Sequence, residues 1–405
     1  MATIAIVGTF DTKGLELEYC RQLFEKANIS TITIHSGTFP TDYPVDIQNT
    51  EVAVAGGGDM TALEKEKDRG RAMATLAQGI KSIVTSLHER GEIDAVFSLG
   101  GSGGTALATA GMRALPVGFP KVMVSTMAGG SVAEYVGTSD IIMFPSIVDV
   151  QGLNSILKDV LQNAVYATVG MLGAPVHEDD DERPHIAATM FGVTTPCITE
   201  AQKYLEERGY DVVVFHATGA GGKSMERLID DGYFVGVLDL TTTEWCDELF
   251  GGVLAAGPHR SEAAIRNQIP QVVSVGAMDM VNFGSPETVP EKYADRTFYP
   301  HNQQVTLMRT TPAENEQLGA KLAEKLNQAT IPIELLLPVR GVSAIDVKGG
   351  PFYDPEADQA LFTSLRKHVT NDQVTICELD TDINNPEFAA SAAQSLIDLI
   401  ESKGH

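Results

Sequence analysis

Cysteine is scarce in this chain. Its four cysteines, Cys20, Cys197, Cys246 and Cys377, are far apart, and no C-x-x-C pair occurs. Structural zinc sites and redox-active dithiols depend on such closely spaced pairs. The sequence therefore predicts four free thiols, most of them buried within helices and strands, in a reducing compartment.

Basic residues are also few. The chain has 29 lysines and arginines against 54 aspartates and glutamates, which gives a net charge of −25. Such an acidic surface repels nucleic-acid phosphates and anionic lipid headgroups. We therefore expect no nucleic-acid partner and no membrane partner. A small anionic ligand would have to be held locally, by a few basic side chains and by backbone N–H groups.

Long apolar runs are missing as well. No stretch reaches the length of about 18 apolar residues that a membrane-spanning helix needs. The N-terminal sequence MATIAIVGTF lacks the basic start of a secretory signal and is typical of a buried first strand. These absences predict a cytoplasmic protein.

The chain does contain a regular alternation of short β-rich runs and amphipathic helical stretches. The predicted strands include residues 121–125, 211–216 and 305–309. The predicted helices include residues 15–27 with Leu15 facing inward, 62–90, 105–115, and 311–329 with a capping box of Thr311 and Glu314. This alternation is typical of parallel sheets covered by helices on both faces. The acidic segment His177–Pro184 interrupts the pattern, which then restarts. The predicted fold is α/β, with two Rossmann-like doubly wound parallel-sheet domains at residues 1–180 and 185–405 and a ligand cleft between them.

The most distinctive stretch is Asp94–Leu115, where a short apolar run, the sequence GGSGG and a helical pattern follow one another. The N–H groups of such a turn, together with the helix N-terminus, form an anion site. Residues 101–106 match G-x-G-x-x-A, but the next predicted strand ends in STMAGG, without the carboxylate that would bind a dinucleotide ribose. We therefore expect a phosphate-bearing ligand other than NAD. A tight turn that serves packing alone is the alternative.

Loops at the ends of other predicted strands belong to the same edge of the sheet. Asp11 and Lys13 follow the first strand, although Asp11 would also serve as a helix N-cap. Thr126, Gly129 and Gly130 follow a later strand. Because parallel strands end at one edge, we expect these loops to lie near the glycine-rich turn.

A second glycine-rich turn, Ala217–Ser224, lies between a predicted strand and a predicted helix. It matches the P-loop pattern G-x-x-x-x-G-K-[ST] with alanine in place of the first glycine. A second anion site with a lysine as its point charge is the favoured interpretation, and a true P-loop and a structural turn stay open. The residues of this second anion site are predicted to be Thr218, Gly219, Gly221, Gly222 and Lys223.

The side chains predicted to take part in chemistry are Asp11, Lys13, Lys223 and Asp239. Asp239 ends a predicted strand and could imitate the acidic metal partner of P-loop enzymes, so Mg²⁺ is a potential companion of the nucleotide, although no metal ligands are assigned. Residues 100–104 also satisfy G-x-S-x-G, which keeps a serine-type hydrolase acting through Ser102 as an alternative.

Several motifs occur in the order found in one known family. VGTFDTKG at 7–14, LGGSGGT at 99–105, GTSDI at 137–141, HATGAGGKSME at 216–226 and PVRGVSAID at 338–346 resemble the ATP-binding N-terminal region of the tomato mosaic virus resistance protein, a family with uncharacterised microbial members. The resemblance covers nearly the whole chain. It implies two Rossmann-like subdomains and an ATP-type nucleotide.

The resemblance also implies which residues hold the nucleotide. Gly100–Thr105 would be the principal phosphate loop, with Thr9–Asp11 and Thr126–Gly130 nearby. The implied nucleotide-binding residues are Thr9, Phe10, Asp11, Gly100, Gly101, Ser102, Gly103, Gly104, Thr105, Thr126, Gly129 and Gly130.

The sequence thus predicts a protein that binds ATP or a related nucleotide, as an enzyme acting on a small anionic metabolite in the interdomain cleft. A nucleotide-sensing module that regulates a partner without turnover is the alternative. A homo-oligomer is expected.

Overall fold

The computed structural model describes residues 2–174 and 183–403. The chain divides into two compact units, unit 1 at residues 1–178 and unit 2 at residues 179–405. Most of the acidic segment predicted as a domain boundary, residues 177–182, lies outside the described residues. In the described parts of the chain, no helix is long and apolar enough to cross a membrane.

Unit 1 is a parallel sheet with helices on both faces. Its strands within residues 2–174 are β1 (Thr3–Gly8), β2 (Ser30–His35), β3 (Ala95–Gly100), β4 (Lys121–Ser125) and β5 (Ile142–Pro145). Its helices there are α1 (Phe10–Lys26), α2 (Asn49–Ala55), α3 (Met60–Glu66), α4 (Arg69–Glu89), α5 (Ser102–Met112), α6 (Ala133–Val136) and α7 (Ser155–Leu172). The strand order is β2-β1-β3-β4-β5, so the direction of progress across the sheet reverses between β1 and β3.

The strands of unit 1 are buried from both sides. Every residue of the central strand β3 is buried, as expected for a mostly apolar strand inside a parallel sheet. Alternate residues of β1 enter two separate cores. Ile4 and Ile6 pack with α1 and α7, whereas Ala5 and Val7 pack with α2, α3, α4 and α5. This burial confirms the predicted doubly wound arrangement.

Unit 2 repeats this architecture with a larger sheet. Its strands within residues 183–403 are β6 (His185–Met190), β7 (Asp211–His216), β8 (Gly236–Thr241), β9 (Gln271–Gly276), β10 (Met280–Phe283), β11 (Phe298–Asn302), β12 (Val305–Arg309), β13 (Ile333–Pro338) and β14 (Val374–Leu379). Its α-helices there are α8 (Thr195–Glu206), α9 (Ala220–Asp230), α10 (Glu244–Phe250), α11 (Ala263–Arg266), α12 (Pro312–Leu326), α13 (Pro355–His368) and α14 (Pro386–Lys403). The main sheet is parallel, in the order β14-β13-β9-β8-β6-β7.

A small antiparallel sheet in unit 2 was not predicted. Its strand order is β10-β12-β11. The segment Val305–Arg309 was expected to be a further strand of the parallel sheet, but as β12 it pairs antiparallel with β10 and β11. Thus unit 2 combines a doubly wound core with a separate antiparallel layer.

The last helix of unit 2 packs on its first helix. Phe388 and Leu396 of α14 are buried in one core with Ile198 of α8 and with β6 and β8. The Tyr204 hydroxyl of α8 donates to Gln394 Oε1 of α14 at 2.8 Å. One face of the sheet is therefore completed by elements from opposite ends of the unit.

Two helices begin earlier than predicted. Helix α1 starts at Phe10 and not at Leu15, with Thr9 as its N-cap. Leu15, predicted to face inward, is half exposed. Helix α5 starts at Ser102 and not at Thr105. Both loops predicted after strands therefore wind directly into first helical turns.

The charged stretch at residues 62–90, predicted as one helix, is two helices. Lys67 ends α3 in a left-handed conformation with φ +54°. Asp68 then caps α4 by accepting the backbone N–H of Arg71. The break is local, since a left-handed residue cannot continue a right-handed helix.

The predicted free thiols are confirmed. Cys20, Cys197 and Cys246 are buried, Cys377 is partly buried, and none forms a disulfide. Burial raises the pKa of all four thiols, so they remain uncharged at neutral pH.

Candidate functional site

Three predicted ligand segments meet at the carboxyl edge of the unit 1 sheet. Thr9–Asp11 follows β1, Gly101–Thr105 follows β3 and Thr126–Gly130 follows β4. Because β1, β3 and β4 are consecutive in the sheet, the structure brings these segments side by side. The reversal of strand order between β1 and β3 is the point at which open α/β sheets bind ligands.

The N-terminus of α5 supplies backbone donors at this edge. Gly101 is the N-cap of α5, and no side chain caps the helix. The N–H groups of Ser102, Gly103 and Gly104 therefore have no partner within the helix, whereas the Thr105 N–H donates to Gly101 O at 2.9 Å. Since the positive end of the helix dipole coincides with these donors, the segment favours an anion.

The glycines of this edge are not required by the fold. A Cβ atom at Gly101, Gly103, Gly104 or Gly130 would have its nearest neighbour at 3.7–3.8 Å, an ordinary contact, and one at Gly129 would have none within 4 Å. None of these glycines has a positive φ. Alanine inside α5 would favour the helix by about 0.5–1 kcal/mol per position. The packing of the fold therefore gives no reason for glycine at these positions.

Thr105 positions this segment but does not line it. Its side chain is buried, its hydroxyl donates to Gly101 O at 2.8 Å, and the same hydroxyl lies 2.6 Å from Ser125 Oγ. These contacts fasten the start of α5 to the end of β4. The prediction that Thr105 itself contacts the nucleotide is therefore corrected, because its hydroxyl is used inside the protein.

One basic side chain beside α5 was missed by the sequence reasoning. Arg69, the first residue of α4, places Nη2 only 3.8 Å from where a Cβ of Gly103 would be. Its side chain is exposed and forms no ion pair with any described residue. In the sequence, Arg69 stands out only as one of the few basic residues of an acidic chain. The packing of α4 on α5 is what brings Arg69 close to Gly103.

The predicted residues after β1 have different roles. Phe10 is buried in the core and its N–H donates to His35 Nδ1 at 3.2 Å, so, contrary to the prediction, Phe10 offers neither group to a ligand. Thr9, not Asp11, occupies the N-cap position of α1, and its side chain makes no capping hydrogen bond. Asp11 Oδ2 accepts the Phe39 N–H at 3.1 Å, while Asp11 Oδ1 is buried without a partner among the described residues. Asp11 therefore keeps an unused acceptor atom.

Lys13 and His35 also lie next to the carboxyl end of β1. Lys13 lies in the first turn of α1 with a non-helical φ of −126°, is partly exposed, and pairs with no described carboxylate. His35, which the sequence reasoning did not single out, accepts the N–H groups of Phe10 and Gly37 at Nδ1. Its Nε2 lies 2.8 Å from Phe39 O. This pattern fits a neutral imidazole that donates from Nε2 and fixes the loop facing Asp11.

A pocket of about 520 Å³ opens beside these segments. It lies at the ends of β4 and β5 and is lined by Ser125, Thr126 and Gly129 and by residues 145–149. The Thr126 N–H donates to Gly100 O at 3.2 Å, which joins the pocket wall to the glycine segment. Two predicted residues, Thr126 and Gly129, thus line a cavity of ligand size. The loop after β5 was not predicted to take part.

The second predicted anion site is filled from within the protein. The N–H groups of Gly219 and Gly222 donate to Glu244 Oε1 at 2.7 and 3.1 Å. The glycines are needed for packing: Gly219 has φ +79°, and Cβ atoms at Gly221 and Gly222 would lie 1.8 Å from His216 O and 2.2 Å from Glu244 Oε2. Because a buried carboxylate takes these donors, they do not face an external anion, contrary to the prediction.

The remaining members of that segment are less constrained. Thr218 Oγ1 donates to His216 O at 3.2 Å. Lys223 is exposed and pairs with no described carboxylate. The structural-turn alternative accounts for the glycines, and Lys223 keeps an exposed, unpaired ammonium group among the described residues.

Asp239 lies within a buried ion cluster. It belongs to the interior of β8 and is 2% exposed. Both of its oxygens pair with Arg260 at 2.6 Å, and Oδ1 also accepts the Thr189 hydroxyl at 2.8 Å. Glu226 and Glu244 contact the same guanidinium at 3.3 and 2.7 Å. Although burial disfavours a charged arginine, Asp239 and Glu244 hold the pKa of Arg260 well above its usual value. Asp239 is thus engaged internally and does not fit the metal-partner role.

A second buried cluster surrounds Arg309 at the end of β12. Arg309 Nη2 lies 2.7 Å from Asp358 and 3.4 Å from Asp346, and Asp279 accepts the Ser343 hydroxyl at 2.8 Å. Asp279 Oδ1 and Asp346 Oδ2 are buried without partners among the described residues. Burial raises the pKa of Asp279 to about 6, and burial together with the Asp279 charge raises the pKa of Asp346 to about 10. The cluster therefore retains a proton at neutral pH.

Ser102 lacks the features of a hydrolase nucleophile in the described part of the chain. Its φ is not positive, so it does not stand on a strained left-handed elbow. No described histidine forms a hydrogen bond with its hydroxyl. The described residues also contain no group of three or more His, Cys, Asp or Glu side chains that could hold a metal ion. The hydrolase hypothesis gains no support.

These features define an α/β protein with two parallel-sheet units and a glycine-rich carboxyl edge in the first. The chain belongs to the uncharacterised protein family UPF0261. The N-terminal domain of this family matches residues 2–177 of the chain, and the C-terminal domain of the family matches residues 183–400.

Relatives occur in bacteria and in a plant. A UPF0261 protein of Clostridium tetani is 50% identical over 98% of this chain and 99% of its own length. One of Rhizobium meliloti is 46% identical over the same shares. The ToMV resistance protein Tm-1 of Solanum lycopersicum is 42% identical over 83% of this chain but only 46% of its own length. These relatives confirm that the chain is related to the tomato protein, whereas the nucleotide that the resemblance implies stays a prediction.

Solved structures align much less well. MurG of Acinetobacter baumannii aligns over 100% of this chain and 95% of its own, with 11% identity and a TM-score of 0.22. A score this low supports no conclusion about fold or ligand.

Proposed function

We propose that unit 1 binds ATP or a related nucleotide through its phosphate groups at the N-terminus of α5. The observation that carries the proposal is the set of glycines, Gly101, Gly103 and Gly104, that the fold does not require. A phosphate oxygen approaches several backbone N–H groups most closely where no Cβ stands in the way. The resemblance of the sequence to an ATP-binding region points to the same class of ligand.

The N-terminus of α5 and the side chain of Arg69 determine the expected affinity for the phosphate groups of the ligand. A partly buried helix N-terminus contributes up to about 2 kcal/mol toward an anion. A charge-assisted hydrogen bond from Arg69 contributes about 1.5–3 kcal/mol. Together they correspond to roughly millimolar affinity for the phosphate chain alone. Micromolar affinity would require about 4 kcal/mol more from the nucleoside half of the ligand.

We further propose that the bound nucleotide is used in a reaction on a small anionic metabolite. Asp11, with its unused buried acceptor, and Lys13, without an ion pair among the described residues, follow β1 beside the phosphate segment. These two side chains would face the transferable phosphate, and Mg²⁺ would enter with the nucleotide. Binding without turnover of any anionic metabolite would instead favour a nucleotide-sensing module.

Calorimetric titration with ATP, ADP and AMP, each with and without Mg²⁺, tests the binding proposal. Gly103→Val is expected to weaken binding at least about tenfold. The variant should still fold, because only the flexible tips of Arg69 and Met73 lie near a Cβ at this position. Gly170→Val, at an exposed helical glycine of α7, is the matched control and should bind normally. If no nucleotide binds, or if Gly103→Val binds as the native chain does, the proposal fails.

Arg69→Ala is expected to weaken ATP binding by about tenfold and AMP binding by less, because a longer phosphate chain makes more use of the guanidinium. Arg71→Ala is the matched control: this arginine lies on the same turn, is 61% exposed and pairs with Glu66. The same titration, repeated at higher salt, provides the measurement. Equal losses for the two variants would show that general surface charge, and not a contact at Gly103, explains the effect.

A further inference from the structure

We propose that the pocket at the ends of β4 and β5 is the nucleoside subsite of the same ligand. The nucleotide would then lie across the carboxyl edge of unit 1, with its base and ribose beside β5 and its phosphates at α5. This inference rests on the proposed function, because it locates the remainder of a ligand whose phosphates α5 holds.

The pocket lies next to the phosphate segment at the N-terminus of α5. Strand β4 lies between β3 and β5, and neighbouring strands are about 4.8 Å apart. The pocket therefore begins one strand away from the phosphate segment, and Thr126 belongs to both through its N–H bond to Gly100 O. Its volume of about 520 Å³ suits a nucleoside. The β1 side instead presents Asp11 and Lys13, whose charges suit a phosphate terminus that carries Mg²⁺ better than they suit a base.

Ile147 gives the pocket an exposed apolar wall. Its φ is +64°, a conformation that β-branched residues rarely adopt. The turn is locked in place, because Ser146 Oγ donates to Val148 O at 2.6 Å and the Val148 N–H donates to Ser146 O at 2.7 Å. The Ile147 side chain is consequently 74% exposed where it lines the pocket. Strain and exposure both oppose stability, and contact with a flat nucleobase would account for retaining them.

Asp149 brings a carboxylate to the same pocket. It is exposed and forms no hydrogen bond or ion pair with any described residue. Ribose hydroxyls are donors that α/β nucleotide sites pair with an acidic residue beyond a strand end. The sequence has no such residue at the end of β4, but the loop after β5 provides one. Asp149 therefore completes the pocket as a site for a sugar as well as a base.

Two probes separate this subsite from the phosphate site: ATP and inorganic tripolyphosphate. Ile147→Gly is expected to lower the affinity for ATP about tenfold and to leave that for tripolyphosphate within about twofold. Its melting temperature should stay the same or rise, because glycine adopts a positive φ freely. Asp149→Asn should remove the preference for ATP over 2′,3′-dideoxy-ATP. Ile156→Ala and Asp159→Asn, exposed residues of α7 outside the pocket lining, are the controls.

The outcomes distinguish this inference from the proposed function. If Gly103→Val weakens both probes while the pocket variants bind ATP as the native chain does, the nucleoside lies elsewhere and only this inference is overturned. Equal losses of ATP and tripolyphosphate in Ile147→Gly would overturn it in the same way. If the native chain binds neither probe, the proposed function fails, and the subsite fails with it.

Discussion

Replacing Arg260 by methionine is expected to destabilise unit 2 by about 3–5 kcal/mol. The guanidinium is 1% exposed and is the shared partner of Asp239, Glu244 and Glu226. Without it, these negative charges would remain buried with no counter-charge, and Glu244 would hold the α9 glycine segment less well. Lysine at this position should not restore stability, because an ammonium group cannot form the paired bonds that Asp239 accepts.

Trp245 allows this loss to be measured in unit 2 itself. It is the single tryptophan of the chain, is 1% exposed, and donates from Nε1 to Ser261 Oγ at 3.3 Å. Urea unfolding followed by its fluorescence would give the free energy of unfolding. Arg266→Met is the matched control, since this arginine is 53% exposed and its pair with Asp230 should contribute less than about 1 kcal/mol. If Arg260→Met lowers the free energy of unfolding no more than Arg266→Met does, the buried cluster around Arg260 does not contribute substantially to the stability of unit 2.

Asp346→Asn is expected to stabilise unit 2 at alkaline pH, by up to about 5–6 kcal/mol near pH 8. The pKa of Asp346 is raised to about 10 in the folded protein by burial and by Asp279, from about 3.9 in an unfolded chain. The folded protein therefore binds a proton that the unfolded chain releases. The contribution of this group to stability falls as the pH rises from about 4 to about 10. Asparagine needs no proton and avoids this loss.

The pH dependence distinguishes this effect from a simple packing change. The difference in unfolding free energy between Asp346→Asn and the native chain should widen between about pH 5 and pH 9, as measured by Trp245 fluorescence. Asp380→Asn serves as the control, because Asp380 is exposed and its bond to Arg340 lowers its pKa. A difference that does not change with pH would mean that Asp346 is already ionised in the folded protein.

Elements with strong local signals were predicted well from the sequence. Strands β4 and β7 occupy the predicted residues 121–125 and 211–216. Helix α12 has the predicted capping box, in which the Thr311 hydroxyl accepts the Glu314 N–H and the Glu314 side chain accepts the Thr311 N–H. All these signals lie within a few residues of the element that they specify.

Features that depend on distant partners could not be predicted in the same way. The sequence of β12 marks it as a strand, but its partners β10 and β11 decide that it is antiparallel. Arg69 precedes Gly103 by more than thirty residues and reaches it only because α4 packs on α5. The left-handed turn at Ile147 contains no glycine or asparagine, the residues that usually indicate such a turn in a sequence. It is joined to β4 by the Ser146 N–H, which donates to Ser125 O at 3.1 Å.

The two glycine-rich segments show what such a motif specifies. Both lie between a strand and a helix, as predicted, and both direct backbone N–H groups toward a point where an anion is favoured. The motif does not determine which anion occupies that point. At α9 it is Glu244, supplied by a later helix, whereas no described side chain occupies the donors of α5.

The packing of α14 on α8 has a consequence for how the protein folds during its synthesis on the ribosome. About 180 residues separate the end of α8 from the start of α14. At a synthesis rate of roughly 5–20 residues per second, α14 is therefore completed about 10–40 s after α8. During that interval, Ile198 and the apolar face of β6 and β8 lack the contacts that α14 later provides. Unit 1 has by then emerged entire. Nascent unit 2 is therefore expected to expose apolar surface, and to benefit from a chaperone, until α14 has been synthesised.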